Sequence, residues 1–245
     1  MEPSASTPVD LGHVTDWVFD LDNTLYPRNA EIFGQIDWRM TDYVERLTGL
    51  PQLEARALQK RLYRDHGTTL CGLIAEHAID PQHYLADVHN IDYGAIVPDP
   101  ALGAAIAALP GRKHIFTNGD IPHARNTLAA LGFPDIFDAM FDIVAAGFEP
   151  KPKALAYERF IAAHGIVPAA AVMFEDMPRN LEVPKALGMA TVLVLPPRDN
   201  AYGAESWELG SEGRPWIDHV SDDLAGFLRA FGKPGQIRQA PLHLA

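Results

Sequence analysis

Trp17-Val18-Phe19-Asp20-Leu21-Asp22-Asn23-Thr24 is an apolar run that ends abruptly in a polar loop. Three large apolar residues in succession read as a strand buried on both faces, the pattern of a parallel sheet rather than of a sheet with one wet face. Open parallel sheets bind ligands at the carboxyl ends of their strands, so the polar residues from Asp20 onward stand where chemistry is expected. Asp20 and Asp22 are two residues apart and can face one pocket while Leu21 turns back into the core. One carboxylate can then attack phosphorus, and the other can protonate the departing oxygen and afterwards deprotonate water. Thr24 and the backbone N–H groups of Leu21 and Asn23 are suitable phosphate donors. An isolated Asp-x-Asp is more often a turn with side-chain caps, so its meaning depends on the rest of the chain.

Outward from this loop, residues 30–89 turn helical. Ile32, Ile36, Met40, Tyr43, Val44 and Leu47 fall at helix spacing, and Leu53, Ala57, Leu58 and Leu62 form a second stripe. Gly49-Leu50-Pro51, Gly67 and Asp80-Pro81 punctuate the stretch, which predicts three or four short helices. Alternation then sets in. Strands are expected at His114–Thr117, Phe141–Ala145, Ala171–Phe174 and Thr191–Leu195, and helices at Pro100–Leu109, Pro122–Leu131, Lys153–His164 and Pro178–Leu187. The expected fold is α/β: a doubly wound parallel sheet with a small helical cap inserted after the first strand. The boundaries read as a core of residues 15–27 and 96–231, a cap of residues 28–95, and mobile ends at 1–14 and 232–245. A surface loop is expected after Leu195 and a last helix near Ser221–Phe231.

Bulk properties narrow the function. A chain of 245 residues with 47% hydrophobic content can bury a real core. Its net charge of −12 argues against a nucleic-acid polymer as partner, which would require a basic face. A small anionic substrate remains compatible, because a divalent cation and a few local basic groups invert the field inside a pocket. The single cysteine, Cys71, reads as a core residue; it forms no internal disulfide or thiolate metal site, and a cytoplasmic setting is expected. Neither a leader nor a membrane segment is expected, since no apolar run approaches the ~20 residues that span a bilayer. The histidines show no HxxxH or HExxH pair, so nothing points to a zinc hydrolase. No G-x-G-x-x-G follows the first strand, so nothing points to a nicotinamide cofactor.

Three later strand ends carry groups that complement the first loop. Phe116-Thr117-Asn118-Gly119 offers a hydroxyl, an amide and a glycine that can wrap phosphate oxygens. Lys151 lies between Pro150 and Pro152, stiffened to hold an ammonium against phosphate and nucleophile. Glu175-Asp176 places adjacent carboxylates after the apolar run Val172-Met173-Phe174, where packing would not choose them and a hard cation would. Magnesium takes oxygen ligands, and Asp20, the backbone carbonyl of Asp22 and Asp176 can supply them. Arg179 and Asn180 suit capping or orienting that acidic loop.

The DxDxT loop, the TNG loop, the proline-flanked lysine and the acidic pair, in this order, resemble the haloacid dehalogenase superfamily from Trp17 to Leu195. The resemblance implies Asp20 as nucleophile, Asp22 as acid and base, Thr117 as phosphate ligand, Lys151 as charge stabiliser and Asp176 with Glu175 at a Mg2+ ion. It also implies a helical cap. Within the superfamily, Asp22-Asn23-Thr24-Leu25-Tyr26-Pro27, His66–Leu73, Val88–Tyr93 and Phe116–Gly119 resemble the pyrimidine 5′-nucleotidases. Lys153 and the Glu175-Asp176 pair depart from that group, which often has an acidic residue and Asp-Asp there, but no required chemical group is lost. His66, Thr68 and Thr69 become candidates for contact with the leaving group, with helix capping as their alternative role. The expected activity is Mg2+-dependent hydrolysis of a small phosphorylated metabolite, a pyrimidine nucleoside 5′-monophosphate, through an aspartyl-phosphate. Alternatives are another small ester such as phosphoglycolate or a sugar phosphate, a phosphosugar mutase, or a catalytically silent binding protein. A dehalogenase is disfavoured because halide departure needs neither the acid Asp22 nor a metal cluster.

Overall fold

The computed structural model describes residues 10–27, 31–196 and 214–231. Most of the expected surface loop after Leu195 and both expected mobile ends, apart from residues 10–14, lie outside these residues. Leu11 and Val14 are buried against the main core, so the chain is anchored before the first strand.

Six strands form one sheet: β1 Asp16–Phe19, β2 Arg112–Phe116, β3 Ala139–Phe141, β4 Ala171–Glu175, β5 Ala190–Val194 and β6 His219–Ser221. They run in the order β3-β2-β1-β4-β5-β6, every neighbouring pair parallel. Between β1 and β2 lie four helices, α1 Ile32–Thr48, α2 Gln52–His66, α3 Thr69–His77 and α4 Pro81–Val88, followed by α5 Pro100–Ala107. Helices α6 Ile121–Leu131, α7 Ala154–His164 and α8 Glu182–Ala186 join the later strands, and α9 Leu224–Arg229 follows β6. This is the doubly wound α/β fold with a helical insert after the first strand. No described helix is long and apolar enough to cross a membrane.

Strand periodicity separates two cores. Trp17, Phe19, Ile115, Val172, Phe174 and Val192 face one side, where α5, α6 and α9 pack. Val18, Phe116, Met173 and Leu193 face the other, against Tyr157 and Phe160 of α7. Stacking of Phe19 on Phe174, with centroids 4.6 Å apart and planes at 8°, fixes β1 against β4. A third cluster, built from Val44, Ala55, Leu62, Leu73, Tyr84 and Val88, gives α1–α4 a core of their own.

The structure corrects the expected elements in four places. The third strand is Ala139–Phe141, not Phe141–Ala145, because Asp142 ends it. Its carboxylate accepts from Ala145 N at 2.8 Å and Ile121 N at 3.0 Å, closing a turn, and Ile143 packs into the insert's core instead of the sheet. The expected helix Pro178–Leu187 begins as a 3-10 turn, Pro178–Leu181, and only then becomes α8. Strand β6 was not expected, being only three residues long. Helix α9 starts later than expected, where Asp223 accepts a hydrogen bond from Gly226 N at 2.8 Å as its cap.

Candidate active site

The site follows from register. Phe19 pairs with Ile115 on one side and Phe174 on the other, so the next residues, Asp20, Phe116 and Glu175, lie side by side at the carboxyl ends of three central strands. Asp20 N continues the ladder by donating to Phe174 O at 2.9 Å. From β1 the sheet is built outward in both directions, and such a switch point opens a crevice at the strand ends.

Lys151 reaches this crevice from the turn before α7. Its Nζ donates to Asp20 Oδ1 at 2.7 Å, Phe116 O at 2.8 Å and Glu175 Oε1 at 2.8 Å, which uses all three ammonium hydrogens. Burial opposes its charge, but Asp20 and Glu175 outweigh burial and raise its pKa above the ordinary lysine value. Asn118 holds the lysine backbone from both ends, donating Nδ2 to Lys151 O at 3.1 Å and accepting Lys151 N on Oδ1 at 2.9 Å. The amide expected to touch phosphate therefore anchors the lysine loop.

Other expected phosphate ligands divide similarly. Thr24 Oγ1 donates to Asp20 Oδ2 at 2.9 Å, orienting the carboxylate from within the loop. Asn23 has φ 62°, a left-handed conformation that an asparagine tolerates and that turns the loop at this point. Thr117 Oγ1 accepts from Gly119 N at 2.9 Å, which leaves its own hydrogen to donate. Asp20, Asp22, Asn23, Asn118 and Gly119 all line one cavity of about 190 Å³, whereas Leu21 is fully buried beneath it.

The acidic pair also divides its labour. Glu175 Oε1 accepts from Lys151 and from Asn180 Nδ2 at 2.6 Å, and Oε2 accepts from Met177 N at 2.7 Å, so this side chain chiefly orients the lysine. Asn180 thus does orient the acidic loop. Asp20, Glu175 and Asp176 offer oxygens within 4.8 Å of one another. Burial pushes the Asp20 carboxyl up to about 7 against the pull of Lys151, and Glu175 and Asp22 add to the push. The three carboxylates offer an all-oxygen donor set, which suits a hard divalent cation.

Asp22 is held by partners other than Lys151. Its Oδ1 takes Tyr26 OH at 2.5 Å and lies 2.7 Å from His123 Nε2. Burial favours the neutral acid, yet His123 and Tyr26 outweigh it and hold Asp22 down at about 2. Conversely, burial lowers the His123 pKa but Asp22 outweighs it, so that pKa is raised. His123 is the main residue the sequence reading missed. Its available signal was position, in the first turn of a helix that begins directly after the TNG loop, with Asp120 as cap.

The insert closes the crevice from above. Phe33, Ile36, Met40, Leu70, Leu85 and Val88 give the cavity an apolar wall. Arg179 NH2 reaches across to Tyr63 OH of α2 at 2.7 Å. Thr68 and Thr69 line the cavity; Thr68 accepts Cys71 N at 3.1 Å as the cap of α3, and Thr69 is buried. His66 does not line it, and its Nε2 sits 2.9 Å from Glu76 Oε1.

The sequence pattern of haloacid dehalogenase-like hydrolases matches residues 18–188, most of the chain and all of the groups above. The chain belongs to this family. It is 26% identical over 229 residues to Phosphate metabolism protein 8 of Saccharomyces cerevisiae, covering 86% of this chain and 68% of that protein. A haloacid dehalogenase (HAD) phosphatase from Thermococcus onnurineus has the same fold, with a TM-score of 0.57 and 17% identity, over 87% of this chain and 96% of that one. So does the L-2-haloacid dehalogenase of Xanthobacter autotrophicus, with a TM-score of 0.54 and 17% identity over 88% and 97%. Phosphatases and dehalogenases thus share this HAD fold, and the site must separate them.

Proposed function

We propose that this HAD hydrolase is a Mg2+-dependent phosphomonoesterase that works through a phosphorylated Asp20. The observation that carries the reading is the company Asp20 keeps. A carboxylate bound to Lys151 at 2.7 Å has a second acid two residues on and an acidic oxygen cluster beside it. A carbon-halogen displacement calls for neither addition, whereas phosphoryl transfer calls for both, to protonate an alkoxide and to neutralise phosphate oxygens.

In this reading Asp20 and Asp176 hold the cation through carboxylate oxygens, with the Asp22 carbonyl as a further ligand. The ion offsets charge on the phosphoryl oxygens. An Asp20 oxygen attacks phosphorus, the ester bond to the leaving oxygen breaks, and that oxygen takes a proton from the Asp22 carboxyl. Water then attacks phosphorus, its proton returns to Asp22, and phosphate leaves with Asp20 restored. Lys151 aims Asp20 and favours its charged form against burial, and Thr117 and the loop amides of Leu21 and Asn23 bind phosphate oxygens.

The apolar wall that faces the leaving group comes from the insert, so residues 28–95, taken as a cap, set selectivity. An apolar, partly aromatic wall suits a planar base better than a bare sugar, which favours a pyrimidine nucleoside 5′-monophosphate. Phosphate release from UMP, CMP, a hexose phosphate and phosphoglycolate with magnesium present tests both levels. Release from none of them contradicts the phosphatase, and preference for the last two contradicts the nucleotidase.

A further inference from the structure

Both connections between the sheet and the insert end at one oxygen of Asp22. On the outgoing side Tyr26 donates its hydroxyl to Asp22 Oδ1. On the returning side Tyr93 lies in a 3-10 turn, Tyr93–Ala95, directly after α4. Its hydroxyl oxygen is 2.9 Å from His123 Nδ1, and His123 Nε2 is 2.7 Å from the same Asp22 Oδ1. The Tyr93 hydroxyl also lies 3.1 Å from His89 O, which can only accept. With its single hydrogen donated there, Tyr93 accepts from His123 Nδ1, and this contact fixes which way the imidazole presents Nε2 to Asp22. The His89 ring stacks on His123 at 4.4 Å with planes at 14°, and the His123 side chain is fully buried, so the imidazole has little freedom to turn.

The second oxygen of Asp22, Oδ2, takes neither of the side-chain bonds made to Oδ1. It is near Gly119, where a side chain would bring a Cβ to 3.8 Å from Asp22 Oδ2 and 3.1 Å from the His123 ring. Gly119 lines the cavity and leaves this space clear.

We propose that His123, locked by Tyr93, is a positioning residue for Asp22: it holds Oδ1 so that Oδ2 faces the leaving oxygen, and it ties that aim to the return connection of the insert. The inference rests on the phosphomonoesterase reading and adds to it a residue, a defined oxygen and a mechanical link. His123 itself does not touch the substrate.

The test exploits leaving groups. An alkyl alkoxide needs a proton to depart, while p-nitrophenolate departs without one, and kcat/KM reports the step in which the leaving group goes. His123→Asn places an amide near the Nδ1 position and loses Asp22; His123→Gln places one near Nε2 and keeps it. We expect His123→Asn to lower kcat/KM for an alkyl phosphomonoester roughly 10- to 100-fold, part of the ~10²–10⁴ that a placed acid supplies. The loss for p-nitrophenyl phosphate should be smaller by about tenfold or more, and His123→Gln should recover much of the difference. Tyr93→Phe, which removes one hydroxyl, should shift the ratio of the two substrates in the same direction by several-fold. Equal losses on both substrates in a variant that melts like wild type would overturn the positioning role. If His123→Asn does not fold, an unaltered substrate ratio in Tyr93→Phe overturns it. A wild-type protein that hydrolyses neither ester would instead sink the phosphatase reading, and this inference with it.

Discussion

Asp20 and Lys151 carry opposite experimental signatures. Asp20→Asn keeps the shape but removes the attacking charge, so turnover should fall at least about a thousandfold, as when one member of a catalytic unit is removed. Near-normal activity would exclude Asp20 as nucleophile. Lys151→Met leaves Asp20 and Glu175 buried without their shared cation, which costs ~3–5 kcal/mol for a broken buried pair. The lower end applies, because Asp20, already pushed up to about 7, can take a proton instead. Denaturant unfolding should show this; a change under about 1 kcal/mol would mean the ammonium is not the charge that holds the cluster. Asp20 was legible because it ends an apolar strand, and Lys151 because two prolines flank it in a turn. The division of roles was not, since Asn118 and Glu175 take theirs from long-range partners at Lys151.

The junction of α2 and α3 is where the insert approaches the lysine loop. Gly67 ends α2 at φ +88°, and a Cβ there would meet Pro150 Cγ at 3.1 Å; Cys71 Sγ also reaches Phe148 O at 3.1 Å. Gly67→Ala should therefore cost ~1–3 kcal/mol through backbone strain, with a loss in kcat through the displaced Lys151 loop. An unchanged melting temperature and kcat would show that the contact is slack. Thr68→Val removes the α3 cap and should cost about 1 kcal/mol. With its hydroxyl taken up by capping, its effect on nucleotide and p-nitrophenyl phosphate should be equal; a nucleotide-selective loss would restore it as a substrate contact. The helices of the insert were legible from their stripes and punctuation. The third strand was misplaced because Phe141, Ile143 and Val144 look like a strand until Asp142 is seen to close a turn.

For the molecule as a whole, burial at the far end of the sheet should set the acid limb of stability. His114 and His164 lie against each other with centroids 5.6 Å apart, and burial lowers both pKa values below the ordinary 6.5. A depressed histidine binds fewer protons folded than unfolded, so its stabilisation is complete above 6.5 and is lost as pH falls below that value. The drop in melting temperature from about pH 7.5 to about pH 5.5 should shrink in His114→Gln; an identical drop would assign the acid limb to other groups. Magnesium should raise the melting temperature by mass action and a chelator should abolish turnover, while calcium, with longer bonds, should bind and inhibit. Full activity in excess chelator would remove the cation from the mechanism. The parallel, doubly wound sheet and the helical insert after its first strand were legible from alternation, whereas the strand order was not, and β6 was too short to announce itself. What decides between a phosphatase and a dehalogenase on this fold is the atom that Asp20 attacks. Acid quenching during turnover of a phosphate-labelled ester, followed by peptide mapping, reads that atom. A phosphoryl group on the peptide that contains Asp20, lost in Asp20→Asn and discharged by hydroxylamine as an acyl phosphate is, is the result expected. Phosphate release with no trapped label, at full rate in Asp20→Asn, would contradict it.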